Sequence, residues 1–327
     1  MDVNSSFRPG VTMTCGQLSA RFIDNSPRLI HISDNVLPGY NGVAVLMDRR
    51  QNKNIFTSTG LNYEICNCVP PSGVEHDKWN APRVAPMTIE ATGPLSVRLA
   101  QKGADASGLN VLIDFTLGES FVDQTLTAWP DSDIRSSDLL FASYMNQVQN
   151  TSLVLRGAVE GESSPRWLEV SKVAHRSKTL IWRPFDPAGK RWDQHRSDDP
   201  ALRQAIEFET PAVVAAAEAA GFRPTPFRWV DRFYYGLVDD FVFLMIFREE
   251  EFGLAYSPTG CNAVRGPAWD YTIHAGAQRR DERRVYHARL VYQPFTTLED
   301  ILAEVRRFQE PAAGAASGPK RKPEKRK

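Results

Sequence analysis

Seven consecutive apolar residues, Phe241-Val-Phe-Leu-Met-Ile-Phe247, constrain this chain more than any other stretch. Side chains on a strand alternate between two faces, so a strand that is apolar at every position needs cover on both sides. A sheet stacked on a second sheet supplies it. The flanks agree: Arg228-Trp-Val-Asp-Arg-Phe-Tyr-Tyr235 precedes the run, and Phe252 to Ser257, a Pro-Thr-Gly turn and Pro267-Ala-Trp-Asp-Tyr-Thr-Ile-His274 follow it. Aromatic and branched runs of about five to eight residues, cut by Gly, Asp-Asp and Pro-Thr-Gly, are the grammar of strands and turns. Polar residues at the ends of these runs (Asp231, Tyr234, Tyr235, Asp239, Tyr256, Trp269, Asp270, His274) are expected at strand tips and loops, where sites are usually built.

The rest of the chain repeats the rhythm. Leu29–Ser33 alternates and reads as a strand, and Asn41 to Phe56 reads as a strand, a basic turn and a second strand entry. Residues 66–86 read as a Pro-, Asn- and Gly-rich loop. Strands are expected at Met87–Ala91, Leu95–Ala100, Val111–Leu117, Phe121–Ala128, Leu139–Tyr144, Leu153–Gly157, Trp167–Val173 and Val285–Tyr292. Their spacing argues for an all-β sandwich or barrel rather than βαβ units. The segment 176–227 breaks the pattern and reads as an insertion. It holds a short strand at Thr179–Trp182, a charged loop, a weakly helical piece from Pro200 to Phe208, and a helix from Pro211 to Ala220 with Thr210 as N-cap and Gly221 at its stop. Thr296–Phe308 is the clearest helix: Leu298, Ile301, Leu302, Val305 and Phe308 form one apolar stripe, and Thr297 with Asp300 resembles a capping box.

Composition sets the outer limits. The 327 residues suffice for one large β domain or two ordinary ones, with no net charge overall. Residues 311–327 hold six Lys/Arg and one Glu, so the basic tail is expected to be disordered and the body is mildly acidic. Such a body has no general attraction for nucleic acid. Four cysteines do not suggest a disulfide scaffold. The N-terminus lacks a signal-peptide pattern and no apolar run is long enough to cross a bilayer, so a cytoplasmic protein without membrane contact is expected.

No cofactor or metal motif is found. Gly42 and Gly60 lack the phosphate-cradling pattern, Cys66-Asn-Cys68 is too close for usual zinc spacing, and the six His are scattered. His175 and His274 stand out at strand ends beside loops. Three clusters mix aromatic faces with amides and carboxylates, as a sugar pocket requires. They are Gly60-Leu-Asn-Tyr-Glu64; Trp129-Pro-Asp with Ala142-Ser-Tyr-Met-Asn146; and Tyr234-Tyr235 with Pro267-Ala-Trp-Asp270. The insertion adds Arg183 among other basic groups and indoles, a composition suited to an anionic sugar such as a uronate and equally to a solvated loop.

The stretch Asn41-Gly-Val-Ala-Val-Leu-Met-Asp-Arg-Arg-Gln-Asn-Lys-Asn-Ile-Phe56 resembles the opening strands of galactose-mutarotase-like β-sandwiches. With the three clusters, most of 37–308 resembles bacterial proteins associated with polysaccharide degradation. The resemblance implies an antiparallel β-supersandwich over residues 1–310, with the 176–227 insertion and a C-terminal helix. It implies a sugar or oligosaccharide partner. Mutarotases use a His acid with a Glu base; where a His is expected after the Glu64 motif, this chain has Ile65. The expected activity is acid/base chemistry of glycosidase or polysaccharide lyase type, with Glu64, Tyr144, Tyr235 and Asp270 catalytic. Asn62, Asn146, Arg83, Trp129, His175, Arg183, Tyr234 and Trp269 are expected to bind substrate. The rival is a non-catalytic sugar-binding or epimerase-like protein.

Overall fold

The computed structural model describes residues 10–26, 39–69, 71–72, 81–103, 108–146, 148, 151–159, 161–172, 179–184, 205–207, 227–257 and 267–310. Two antiparallel sheets stack face to face. The smaller joins β1 (Val11–Cys15), β2 (Leu18–Ile23), β3 (Gly42–Asp48), β5 (Phe56–Val69), β10 (Ser136–Met145), β19 (Ala268–His274) and β18 (Phe252–Ser257) in that order, with β4 (Lys53–Asn54) beside β3. The larger runs β14 (Ala205–Glu207), β13 (Thr179–Pro184), β12 (Arg166–Lys172), β11 (Leu153–Val159), β16 (Phe233–Val238), β17 (Phe241–Phe247), β20 (Arg284–Pro294), β9 (Phe121–Pro130), β8 (Leu109–Leu117), β7 (Ser96–Gln101) and β6 (Met87–Gly93), with β15 (Phe227–Trp229) beside β11.

The all-apolar strand sits where its composition demands. Every residue of β17 is buried. Phe241, Phe243, Met245 and Phe247 face the smaller sheet, where Phe243 meets Trp269 and Phe247 meets Tyr271. Val242, Leu244 and Ile246 face the other way, against Ile301, Val305 and Phe308 of helix α2 (Leu298–Gln309). The cover is thus a sheet on one side and a helix on the other. Thr297 caps α2 by accepting the Asp300 N–H. Arg289 of β20 anchors the helix, bridging Asp123 at 2.6 Å and Glu304 at 2.7 Å.

Two expectations change. Residues 66–86 are not a continuous loop: β5 runs on to Val69, and a short helix α1 (Ala81–Val84) follows. Ala205–Glu207, expected to be weakly helical, forms β14 and extends the larger sheet beyond β13, because its backbone finds a partner at Thr179–Ile181. His175, Leu29–Ser33, the 211–220 helix and the basic tail lie outside the described residues. No helix among the described residues is long and apolar enough to cross a membrane.

Candidate functional site

The site is built on the outer face of the smaller sheet. On β10, Leu139, Phe141 and Met145 enter the core between the sheets, so Leu140, Ala142 and Tyr144 point the opposite way. Neighbouring β5 brings Asn62 opposite Ala142. The register then slips: Tyr63 pairs with Phe141 and Ile65 with Leu140, leaving Glu64 as an extra residue. Tyr63 and Cys66 both face the core, so this bulge places Glu64 and Ile65 together on the outer face. On the other side of β10, Trp269, Tyr271 and Ile273 of β19 enter the core, which turns Asp270 outward, where it accepts the Ser143 N–H at 2.8 Å. Glu64 and Asp270 therefore flank Ala142 from strands about 10 Å apart.

Glu64 is the hub. Its side chain is only 11% exposed, yet it is densely served by donors. The Tyr144 hydroxyl donates to it at 3.0 and 3.2 Å, and Arg83 of α1 forms an ion pair with it. The Arg83 guanidinium lies 4.4 Å from the centre of the Tyr40 ring, which meets Tyr144 edge-on at 6.5 Å. Burial pushes the Glu64 carboxyl above the usual glutamate range, against Arg83, Tyr144 and Asn62, which pull it down. A carboxyl so placed has close proton donors and holds its own proton to higher pH than a free glutamate, as a general acid or base requires.

A rigid frame carries Arg83. Buried Asn25 donates to the carbonyls of Pro82 at 2.9 Å and Ala85 at 2.5 Å. Gln101 of β7 donates to the same pair at 3.2 and 2.8 Å. Gly39, with φ +92°, packs directly on the Arg83 carbonyl, where any Cβ would collide. Asn41 donates to the Tyr63 carbonyl at 2.8 Å and accepts its N–H at 3.2 Å, tying this loop to the bulged strand.

Of the residues singled out in the sequence, Asn62, Glu64, Arg83, Tyr144 and Asp270 converge on this face. The others do not. Tyr235 is buried on the far side of the larger sheet, in the cluster under α2. Tyr234 and Trp269 are core residues between the sheets: the Tyr234 hydroxyl donates to the Trp269 carbonyl at 2.8 Å, and the indole N–H donates to Thr151. Trp129 lies on the larger sheet beneath the Arg283 guanidinium. Asn146 donates to the Asn54 carbonyl at the end of β10. Arg183 stands on β13, across from Glu169 in the larger sheet. Tyr40 carried no signal in the sequence, because only the fold lays it on Arg83. No group of three or more His, Cys, Asp or Glu among the described residues is arranged to hold a metal ion.

No family model matches the sequence, and no curated protein matches it. Solved structures match its fold. A candidate aldose 1-epimerase from Escherichia coli K12 aligns over 88% of this chain and 99% of its own, with a TM-score of 0.50 and 8% identity. The chain therefore has the β-supersandwich fold of galactose mutarotase-like structures. A galactose mutarotase related enzyme from Lactobacillus acidophilus aligns at TM-score 0.49 and 6% identity, over 88% of this chain and 98% of that one. A galactose mutarotase-like protein from Lactobacillus casei aligns at TM-score 0.49 and 8% identity, over 87% and 100%.

Proposed function

We propose that the outer face of the smaller sheet binds a sugar and carries out acid/base chemistry on it, with Glu64 as the proton-transferring carboxyl. The observation that carries this reading is the convergence of Tyr144, Arg83 and Asn62 on one buried carboxyl, with Asp270 across Ala142 on the same face. The Tyr144 hydroxyl is suited to orienting a sugar hydroxyl, while the fully buried Asn62 supports Glu64 from within the sheet. The half-buried ring of Tyr144 offers an apolar face to sugar C–H bonds, and the buried Tyr40 backs it edge-on.

Among reaction types, the paired carboxylates favour glycoside hydrolysis. Inverting hydrolysis places an acid and a base about 6.5–9.5 Å apart with the sugar and a water between them, and side chains on strands about 10 Å apart span such a gap. Elimination from a uronate is less favoured, because Arg83, the cation that would hold the substrate carboxylate, is engaged by Glu64. A second reading, epimerisation at the anomeric carbon, draws on the fold shared with the candidate aldose 1-epimerase and uses the same two carboxylates on opposite sides of one ring.

Purified protein is incubated with neutral and uronate-containing oligosaccharides. Reducing ends, ultraviolet absorbance of unsaturated products and anomer exchange by NMR are followed in parallel. New reducing ends that disappear in Glu64→Gln support hydrolysis, and accelerated anomer exchange supports epimerisation. Unsaturated products overturn the preference against elimination. Saccharide binding with no turnover in any assay identifies a non-catalytic sugar-binding protein and overturns the catalytic reading.

A further inference from the structure

The chemistry proposed for Glu64 leaves a second polar cluster on the same sheet face unused. Asp138 of β10 and His274 of β19 are register partners, and His274 Nδ1 lies 2.7 Å from Asp138 Oδ1. His274 Nε2 lies 3.1 Å from Thr272 Oγ1. Alternation fixes their side: Asp138 follows Leu140, Ala142 and Tyr144 along β10, and Thr272 and His274 follow Asp270 along β19. The face is open here, with the imidazole 57% exposed and the carboxylate 35%. The ring has room because β18 offers Gly253: a Cβ there would lie 2.8 Å from His274 Nε2 and 2.7 Å from Thr272 Oγ1. Two hydrogen bonds therefore fix the imidazole in the space that the glycine leaves.

We propose that Asp138, His274 and Thr272 form a second sugar subsite, and that the ligand of this face is an oligosaccharide lying along β10. This rests on the reading that the Glu64 face binds sugar. Asp138 stands four residues from Ala142, about 13 Å along the strand, so a single pyranose at Glu64 does not reach it and a longer chain does. Between the two ends Leu140 and Ala142 are buried, and the half-buried Ile65 and Tyr144 that pack against them line the way. At the far end the imidazole offers a flat face to ring C–H bonds, and Asp138 Oδ2 accepts sugar hydroxyls.

The test is calorimetric titration of the full chain with two saccharide series: glucose, cellobiose and cellotetraose, and galactose, galactobiose and galactotetraose. For the series that binds, affinity rises about tenfold from monosaccharide to tetrasaccharide, the scale of one or two added hydrogen bonds. His274→Ala removes that rise and leaves monosaccharide affinity unchanged. Asp138→Asn, nearly isosteric, does the same without opening a gap in the sheet. Length-independent affinity in the wild type, a rise that survives in both variants, or equal weakening for all lengths overturns the subsite. If monosaccharides bind, lose affinity in Glu64→Gln and gain nothing with length, the sugar reading stands and the subsite fails. If neither series binds, both fail.

Discussion

The Tyr144 hydroxyl donates to both oxygens of Glu64, at 3.0 and 3.2 Å, across the two central strands of the smaller sheet. The two residues are eighty positions apart in the chain, and a one-residue bulge in β5 makes their meeting possible.

Removing that phenol oxygen tests its part in the chemistry. Tyr144→Phe is expected to lower turnover by about 100-fold, the lower end of the range for a proton-transfer partner, and to leave the fold intact. Glu64→Gln is expected to lower it further. Steady-state kinetics with circular dichroism on each variant checks this. Unaltered turnover in Tyr144→Phe would assign the hydroxyl a purely structural role.

Burial makes the Glu64 carboxyl hold its proton more tightly in the folded chain than in the unfolded one, where its value is near 4.5. A group raised on folding contributes stability that is complete below its unfolded value and is lost as pH rises through its folded value. The wild type should therefore lose urea resistance relative to Glu64→Gln as pH rises through the window that opens near 4.5. A stability difference between the two proteins that does not change over this window contradicts the burial-dominated picture.

Gly39→Ala probes the frame beneath Arg83. The residue has φ +92° and its missing Cβ is what lets the Arg83 carbonyl approach. Substitution is expected to cost about 1–3 kcal/mol and to shift α1, so that Arg83 leaves Glu64. Ligand affinity should then fall as far in Gly39→Ala as in Arg83→Ala. Comparing the two by calorimetry, with urea denaturation to follow stability, decides it.

Trp269 separates core from platform. It is fully buried between the sheets, tilted against Phe243 and packed over Gly236. Trp269→Ala is expected to cost about 3–5 kcal/mol of stability in urea denaturation. If the variant keeps wild-type stability and loses only sugar binding, the indole is a platform after all.

Much of the fold is legible in the sequence, for specific reasons. β6 to β9 largely alternate and are separated by Gly, Asp and Ser, so their limits fall within two residues of the expected ones. The α2 stripe predicts the apolar residues the helix packs inward: Ile301, Val305 and Phe308 are buried and Leu298 and Leu302 half-buried, while buried Glu304 carried no such signal. β16 and β17 are different. All thirteen of their positions are buried, so period-two alternation does not say which residues share a face. For that reason the sequence places Tyr235 with Tyr144, whereas the fold sets it beneath α2.

The candidate site shows the same division. Asn62, Glu64, Arg83, Tyr144 and Asp270 are visible in the sequence as polar groups in strand-rich surroundings. Their assembly depends on the Glu64 bulge, on the pairing of β5, β10 and β19, and on a loop held by Asn25, Gln101 and Gly39. The amino-acid order by itself determined that this chain makes many antiparallel strands covered on both faces, because alternation and apolar runs are local properties. Which carboxylate meets which phenol was decided by tertiary structure alone, because register and bulges are set by the summed packing of distant strands and leave no periodic mark in the sequence.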